Sequence, residues 1–163
     1  MGVIILSIKK VIVVNYEKCT GCKLCSLICS LYHETVISPF LSRIDHIEFS
    51  DKEKGFIFVP VTCEQCEEPI CMYSCPRDAY YIDENTGAVL INEEKCVHCR
   101  ICVFTCPFGG VLVSPSGRVF KCDLCGGDPE CVKICPSNAI TYEEPESSIS
   151  DKKKETAKKL LTK

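Results

Sequence analysis

The chain has 163 residues and a formal charge of −3, a length that suits one modest domain or two very small ones. Its hydrophobic share of 46% counts sixteen cysteines; without them about 36% remains, thin for a self-sufficient core. No apolar run approaches the roughly 20 residues of a bilayer span, and the acidic balance argues against nucleic acid as a partner.

The chain opens with apolar stretches at 3–6 and 11–14, interrupted by Lys9 and Lys10, and shows no secretory cleavage site. A cytoplasmic location is therefore expected. Residues 11–15 read as a strand leading into a first cysteine group, Cys19-x2-Cys22-x2-Cys25-x3-Cys29. Ser30 follows where three later groups carry proline, so this corner should continue as helix through His33. The cysteine-free span 31–62 holds Phe40, Ile44, Ile47 and Phe49, and 55–59 reads as a strand. It is expected to be a structural insertion packed against the metal sites rather than a dedicated docking loop.

The second group, Cys63-x2-Cys66-x4-Cys71-x3-Cys75-Pro76, is followed by strands at 80–83 and 88–92 around a turn whose Gly87 can take positive φ. The third, Cys96-x2-Cys99-x2-Cys102-x3-Cys106-Pro107, leads into strands at 110–113 and 118–121 around a Ser-Pro-Ser-Gly turn. This is a repeat of about thirty residues. The fourth, Cys122-x2-Cys125-x5-Cys131-x3-Cys135-Pro136, precedes a strand at 139–142, the expected antiparallel partner of 11–15. Residues 146–163 are polar and Lys-rich, and Asp151 is placed to cap a short helix there.

Every cysteine falls in one of these groups. Disulfides would need an oxidising compartment, and structural zinc favours two CxxC pairs held apart by a longer spacer. Three thiols within seven residues, with a fourth three residues later, instead suit the corners of a cubane. Four [4Fe–4S] clusters follow, and with their thiolates they would bring the net charge to about −11, favouring a redox partner with a basic docking surface. Structural metals cross-link as well as react, so the apo chain should be unfolded or molten.

In two-cluster ferredoxins the fourth cysteine of one run serves the other cluster. Groups two and three face each other through the 80–92 hairpin, and groups one and four through their terminal strands. The expected sites are therefore Cys19, Cys22, Cys25 with Cys135; Cys122, Cys125, Cys131 with Cys29; Cys63, Cys66, Cys71 with Cys106; and Cys96, Cys99, Cys102 with Cys75. The alternative joins group one to two and three to four, and must close the long gap between Cys29 and Cys63.

The fold class is α+β: two pseudo-symmetric ferredoxin-like units, one nested in the other, with short hairpins and short helices. The outer unit takes 1–32 with 114–145, the insertion 33–59, the inner unit 60–113 and the tail 146–163. Lys121, Arg100 and Lys23 adjoin cysteines, where a positive charge would raise a cluster's potential, although ordinary solvation is the expectation for each. His98 reads as a surface imidazole, and His33 and His46 as structural residues. No acid–base pair, activated nucleophile or nucleotide fingerprint is present, so the chain is not expected to be an enzyme by itself.

The four-group pattern resembles the four-cluster ferredoxin subunits of molybdenum and tungsten oxidoreductases over residues 11–142, most of all the small subunit of tungsten-dependent aldehyde:ferredoxin oxidoreductases. That resemblance implies a relay between a larger tungsten- or molybdenum-pterin catalytic subunit, which holds the pterin metal and oxidises an aldehyde, and an external acceptor such as ferredoxin. It also implies that the site of Cys19 lies nearest the catalytic cofactor and that of Cys96 farthest from it. A free polyferredoxin shuttle, or the iron–sulfur subunit of a formate dehydrogenase or hydrogenase complex, stays open as an alternative.

Overall fold

The structure is a computed structural model that describes residues 10–145 except Lys54. The apolar stretch 3–6 and the tail with Asp151 lie outside the described residues.

Four two-stranded antiparallel sheets carry the chain. β1 (Val11–Val14) pairs with β8 (Ile140–Glu143), so the two ends of the described chain are stitched together with Val11 opposite Glu143. β4 (Tyr80–Ile82) pairs with β5 (Val89–Ile91), and β6 (Val111–Val113) with β7 (Val119–Lys121). These are the hairpins expected from the turn residues at 84–87 and 114–117, and Gly87 does take φ +74°. Asn15 ends β1 by accepting the Glu17 amide at 3.1 Å and starting a 3-10 turn toward Cys19.

The insertion forms more structure than its sequence promised. β2 (Asp45–Asp51) and β3 (Gly55–Val61) make the longest hairpin. Ile44 is buried and packs with the cysteines of the core, as expected. Phe40, Ile47 and Phe49 do not, being 74%, 52% and 49% exposed.

Each cysteine group ends in a helix: α1 (Leu24–Glu34), α2 (Ile70–Tyr73), α3 (Ile101–Thr105) and α4 (Glu130–Ile134). Only α1 exceeds five residues, because Ser30 lets it run past Cys29 where proline stops the other three. The expected continuation through His33 is present. α1 packs on α4 and α2 on α3, which gives two similar halves.

Glu34, the last residue of α1, ties these parts together. Its Oε1 accepts from Arg43 Nη2 at 3.0 Å and, more closely still, from Arg118 Nη2. Both guanidinium groups lie over the Phe120 ring. Burial alone would raise the Glu34 pKa, but the two arginine donors outweigh it and hold the carboxyl below its ordinary range. Glu34→Gln leaves two guanidinium groups short of a charged acceptor. The loss should be about 1–3 kcal/mol, read as a lower denaturant midpoint of the iron-loaded protein.

Gly110 packs tightly against the backbone that leads into the second cysteine group. A Cβ there would lie 2.6 Å from Cys63 Cα and 3.1 Å from Thr62 O, both backbone atoms that cannot swing aside. Gly110→Ala is expected to destabilise by roughly 1–3 kcal/mol through overpacking and to lower iron retention on dilution into mild denaturant.

Candidate metal centres

The third and fourth cysteines of each group are four residues apart, one helical turn, so they lie on one helix face about 6 Å apart along the axis. A single short helix can therefore serve two neighbouring sites. Cys25 and Cys29 lie in α1; Cys131 lies in α4 and Cys135 just after it. α2 and α3 present Cys71 with Cys75 and Cys102 with Cys106 in the same way.

The first two cysteines sit on a loop bent the same way four times. The residue before the second cysteine takes left-handed φ in each group: Gly21 at +71°, Gln65 at +48°, His98 at +53° and Leu124 at +60°. Three of these are not glycine, and each such conformation costs of order 1 kcal/mol or more. A strain repeated at equivalent positions is a shape requirement, turning successive thiols toward one point. At Gly21 the bend also brings the backbone under the Phe58 ring, where a Cβ would meet ring carbons at 2.6 Å.

The result is four thiol quartets. Cys19, Cys22, Cys25 and Cys135 line one hollow, and Cys75, Cys96, Cys99 and Cys102 another. Between them, Cys29, Cys122, Cys125 and Cys131 gather close enough to raise one another's pKa, as do Cys63, Cys66, Cys71 and Cys106. Neighbouring quartets touch in sequence. Cys131 senses Cys25, Cys122 senses Cys63, and Tyr80 lies among Cys71, Cys75 and Cys102. They form a row, and only Cys22 and Cys99, one in each end quartet, are exposed.

These donors fit a [4Fe–4S] cluster. Each quartet is all sulfur, and backbone amides aim at it. The amide four residues after Cys75, Cys106 and Cys135 donates to that sulfur: Ala79 at 3.4 Å, Gly110 at 3.3 Å and Ala139 at 3.2 Å. Proline after the cysteine turns the chain so that this amide comes round. Cys29, which lacks the proline, receives its amide from Arg43 in the insertion, at 3.3 Å. Gln65 and Leu124 amides reach Cys63 and Cys122, each at 3.4 Å. At Cys135 burial alone would raise the thiol pKa, but hydrogen bonds from the Ile140 amide, from Ser137 and from the Ala139 amide outweigh it and hold it below the ordinary value. Burial dominates at Cys25, Cys71 and Cys125, each pushed up to about 11, and at Cys122, pushed up to about 12. Without a metal these thiols hold their protons, and binding must release them. A bound cluster supplies one-electron chemistry; the chain's own groups hold it, donate to its sulfurs and exclude water.

Residues outside the cysteine groups also reach the quartets. His46 Nε2 lies 3.5 Å from Cys25 Sγ and His33 Nε2 lies 3.7 Å from Cys125 Sγ. Burial pushes both imidazoles below their ordinary pKa. His33 also lies 3.3 Å from Asp123, a trio that belongs to the Cys125 quartet rather than to a separate metal site. His98 is not a free surface imidazole. Its Nδ1, 3.5 Å from Cys96 Sγ, accepts the Val119 amide at 3.1 Å. That nitrogen therefore has no proton for the sulfur, and the ring ties its loop to β7. Lys23 is about half exposed and paired with Glu48, and Arg100 is exposed, so solvation is their role. Lys121 departs from the same expectation: it is 5% exposed, because β7 carries its side chain between the halves rather than outward.

All-sulfur quartets in a row suit an iron–sulfur electron-transfer protein, and the chain belongs to the family described as 4Fe-4S dicluster domain, matched over residues 55–145. Residues 16–32 match a 4Fe-4S binding domain. Among curated proteins it is similar to the aliphatic sulfonate oxidoreductase polyferredoxin-like subunit of Pyrococcus furiosus, at 48% identity over 76% of this chain and 70% of that protein. It also resembles the putative electron transport protein YsaA of Escherichia coli, 34% identical over 79% and 86% of the two chains. The thiosulfate reductase electron transfer subunit PhsB of Salmonella typhi is 31% identical over 77% and 71%. Among the described residues, no helix is long and apolar enough to cross a membrane.

Proposed function

We propose that this chain is the electron-transfer subunit of an oxidoreductase complex and binds four [4Fe–4S] clusters, one in each quartet. The pairing is the nested one: Cys135 completes the site of Cys19, Cys29 that of Cys122, Cys106 that of Cys63 and Cys75 that of Cys96. The observation that carries this reading is the row itself, with exposed thiols only at its two ends. Electrons enter at one end, pass two shielded sites and leave at the other. The partner is a larger tungsten- or molybdenum-pterin subunit at the Cys22 end, and an external acceptor such as ferredoxin meets the Cys99 end.

Two further features support a subunit over a free shuttle. Ile47, Phe49, Ile57 and Val59 share one face of the β2–β3 hairpin through direct cross-strand pairing, and Ile47 and Phe49 are exposed. The opposite face carries His46 and Phe58 against the Cys25 quartet and Gly21. An apolar face beside an end site is what a fixed partner would cover. The named relatives from Pyrococcus furiosus and Salmonella typhi are themselves subunits. Aldehyde oxidation is the partner reaction the family resemblance favours, and the Pyrococcus relative adds aliphatic sulfonates as a substrate class.

Anaerobic native purification with metal analysis tests the reading. Sixteen iron atoms per chain, with tungsten or molybdenum in a larger stoichiometric partner, are expected, and that complex should be assayed with an aldehyde and an aliphatic sulfonate side by side. Sixteen iron atoms and no partner would leave a free polyferredoxin, and substantially fewer in undamaged protein would break the four-cluster reading.

A further inference from the structure

Lys121 is a buried cation whose carboxylate partner is missing among the described residues: their ion pairs all use other cations. Its Nζ donates to Cys122 O at 2.9 Å, to Gln65 Oε1 at 3.4 Å and, at closer range, to Val89 O. Three acceptors match the three donors of an ammonium. Gln65, 2% exposed, locks the arrangement by donating Nε2 to Cys122 O at 2.9 Å and accepting the Val89 amide at 2.9 Å. Its own amide points at Cys63 Sγ. The pair thus sits between the two inner quartets, touching the backbone of Cys122 on one side and Cys63 on the other.

Neutral carbonyls alone do not offset the burial of a full charge; such a group needs a counter-charge or loses its proton. We propose that Lys121 is a positioning residue whose fixed positive charge, held by Gln65, selectively raises the reduction potentials of the two inner clusters above those its removal would leave. This rests on the four-cluster reading given above. Each cluster takes up one electron in passing from the 2+ to the 1+ core, with no bond made or broken. The extra negative charge is what Lys121 stabilises, from a site too dry for water to screen. The two end clusters lack this cation, so the inner pair retains an electron in preference to the ends.

The test is a dithionite titration of the full iron-loaded chain followed by EPR, comparing wild type with Lys121→Gln, Lys121→Arg and Gln65→Glu. Lys121→Gln removes the charge, and Gln65→Glu sets an opposing charge beside it. Each should move two of the four couples negative by at least a tenfold change in the oxidised-to-reduced ratio, 59 mV for one electron, and leave the other two in place. Lys121→Arg keeps the charge and should stay near wild type. Unmoved potentials, four couples shifting together, or an arginine variant shifting like the glutamine one would overturn the proposal. If Lys121→Gln fails to load sixteen iron atoms, the Gln65→Glu and Lys121→Arg pair decides on the same criteria. Wild type with fewer than sixteen iron atoms would fault the four-cluster reading instead.

Discussion

Removing iron from this protein with a chelator under anaerobic, reducing conditions will abolish most of its far-UV dichroism rather than leave a folded apoprotein. The described fold has little else to hold it. Its sheets have two strands each, and an isolated two-stranded hairpin is marginal in water. α2, α3 and α4 have four or five residues, far below the length at which a helix stands alone. Of eighteen buried hydrophobic residues among those described, six are cysteines, placed where an ordinary domain would put Leu or Val. Burial raises the thiols of Cys25, Cys29, Cys102, Cys122 and Cys131, Cys122 to about 12, so without metal these are small, poorly packed neutral groups around hollows. The strained loops at Gln65, His98 and Leu124 have no reason to persist when nothing binds there. One structural metal site contributes on the order of 10 kcal/mol, as much as the whole stability of a typical domain. A far-UV spectrum indifferent to iron removal would show that the peptide core suffices.

Much of this architecture was legible because cysteine spacing and turn chemistry are local. The two short hairpins could be read from Gly87 and Gly117, and the long α1 from the absence of proline after Cys29. The strand at 11–15 and its partner at 139–142 could be read from their flanking positions. The β2 strand escaped because Asp45 and Asp51 stand on the same face as Ile47 and Phe49 and cut its period-two pattern to two apolar positions. The contacts of His33, His46 and Lys121 with the quartets were hidden for another reason. A polar residue's burial is set by tertiary packing, and nothing in the tripeptide around Lys121 says that β5 and Gln65 will close over it. The Arg43 amide on Cys29 was likewise out of reach, since it comes from the insertion. Its one sequence signal was negative: Cys29 lacks the proline that would bring round an amide of its own.

The proposed exchange of fourth cysteines between groups makes a prediction that iron counting can read. Cys29→Ala should cost one cluster, taking sixteen iron atoms to about twelve, and it should be the cluster whose other ligands are Cys122, Cys125 and Cys131 rather than that of its own group. Double substitution separates these readings, because losses within one site do not add and losses in distant sites do. Cys29→Ala with Cys122→Ala should again retain about twelve iron atoms, whereas Cys29→Ala with Cys19→Ala should retain about eight. If the runs were not swapped, the two results would trade places. The functional consequence follows from the row. The quartet containing Cys29 stands between the exposed end at Cys22 and the inner quartet of Cys63, so its loss opens a gap one cluster wide. Electron transfer falls away steeply across such a gap, and passage from one end to the other should drop to near background. The clusters at Cys22 and Cys99 would still be reduced when each end is supplied separately. An intact end-to-end rate in Cys29→Ala protein that has lost a cluster would mean that the row is not the path.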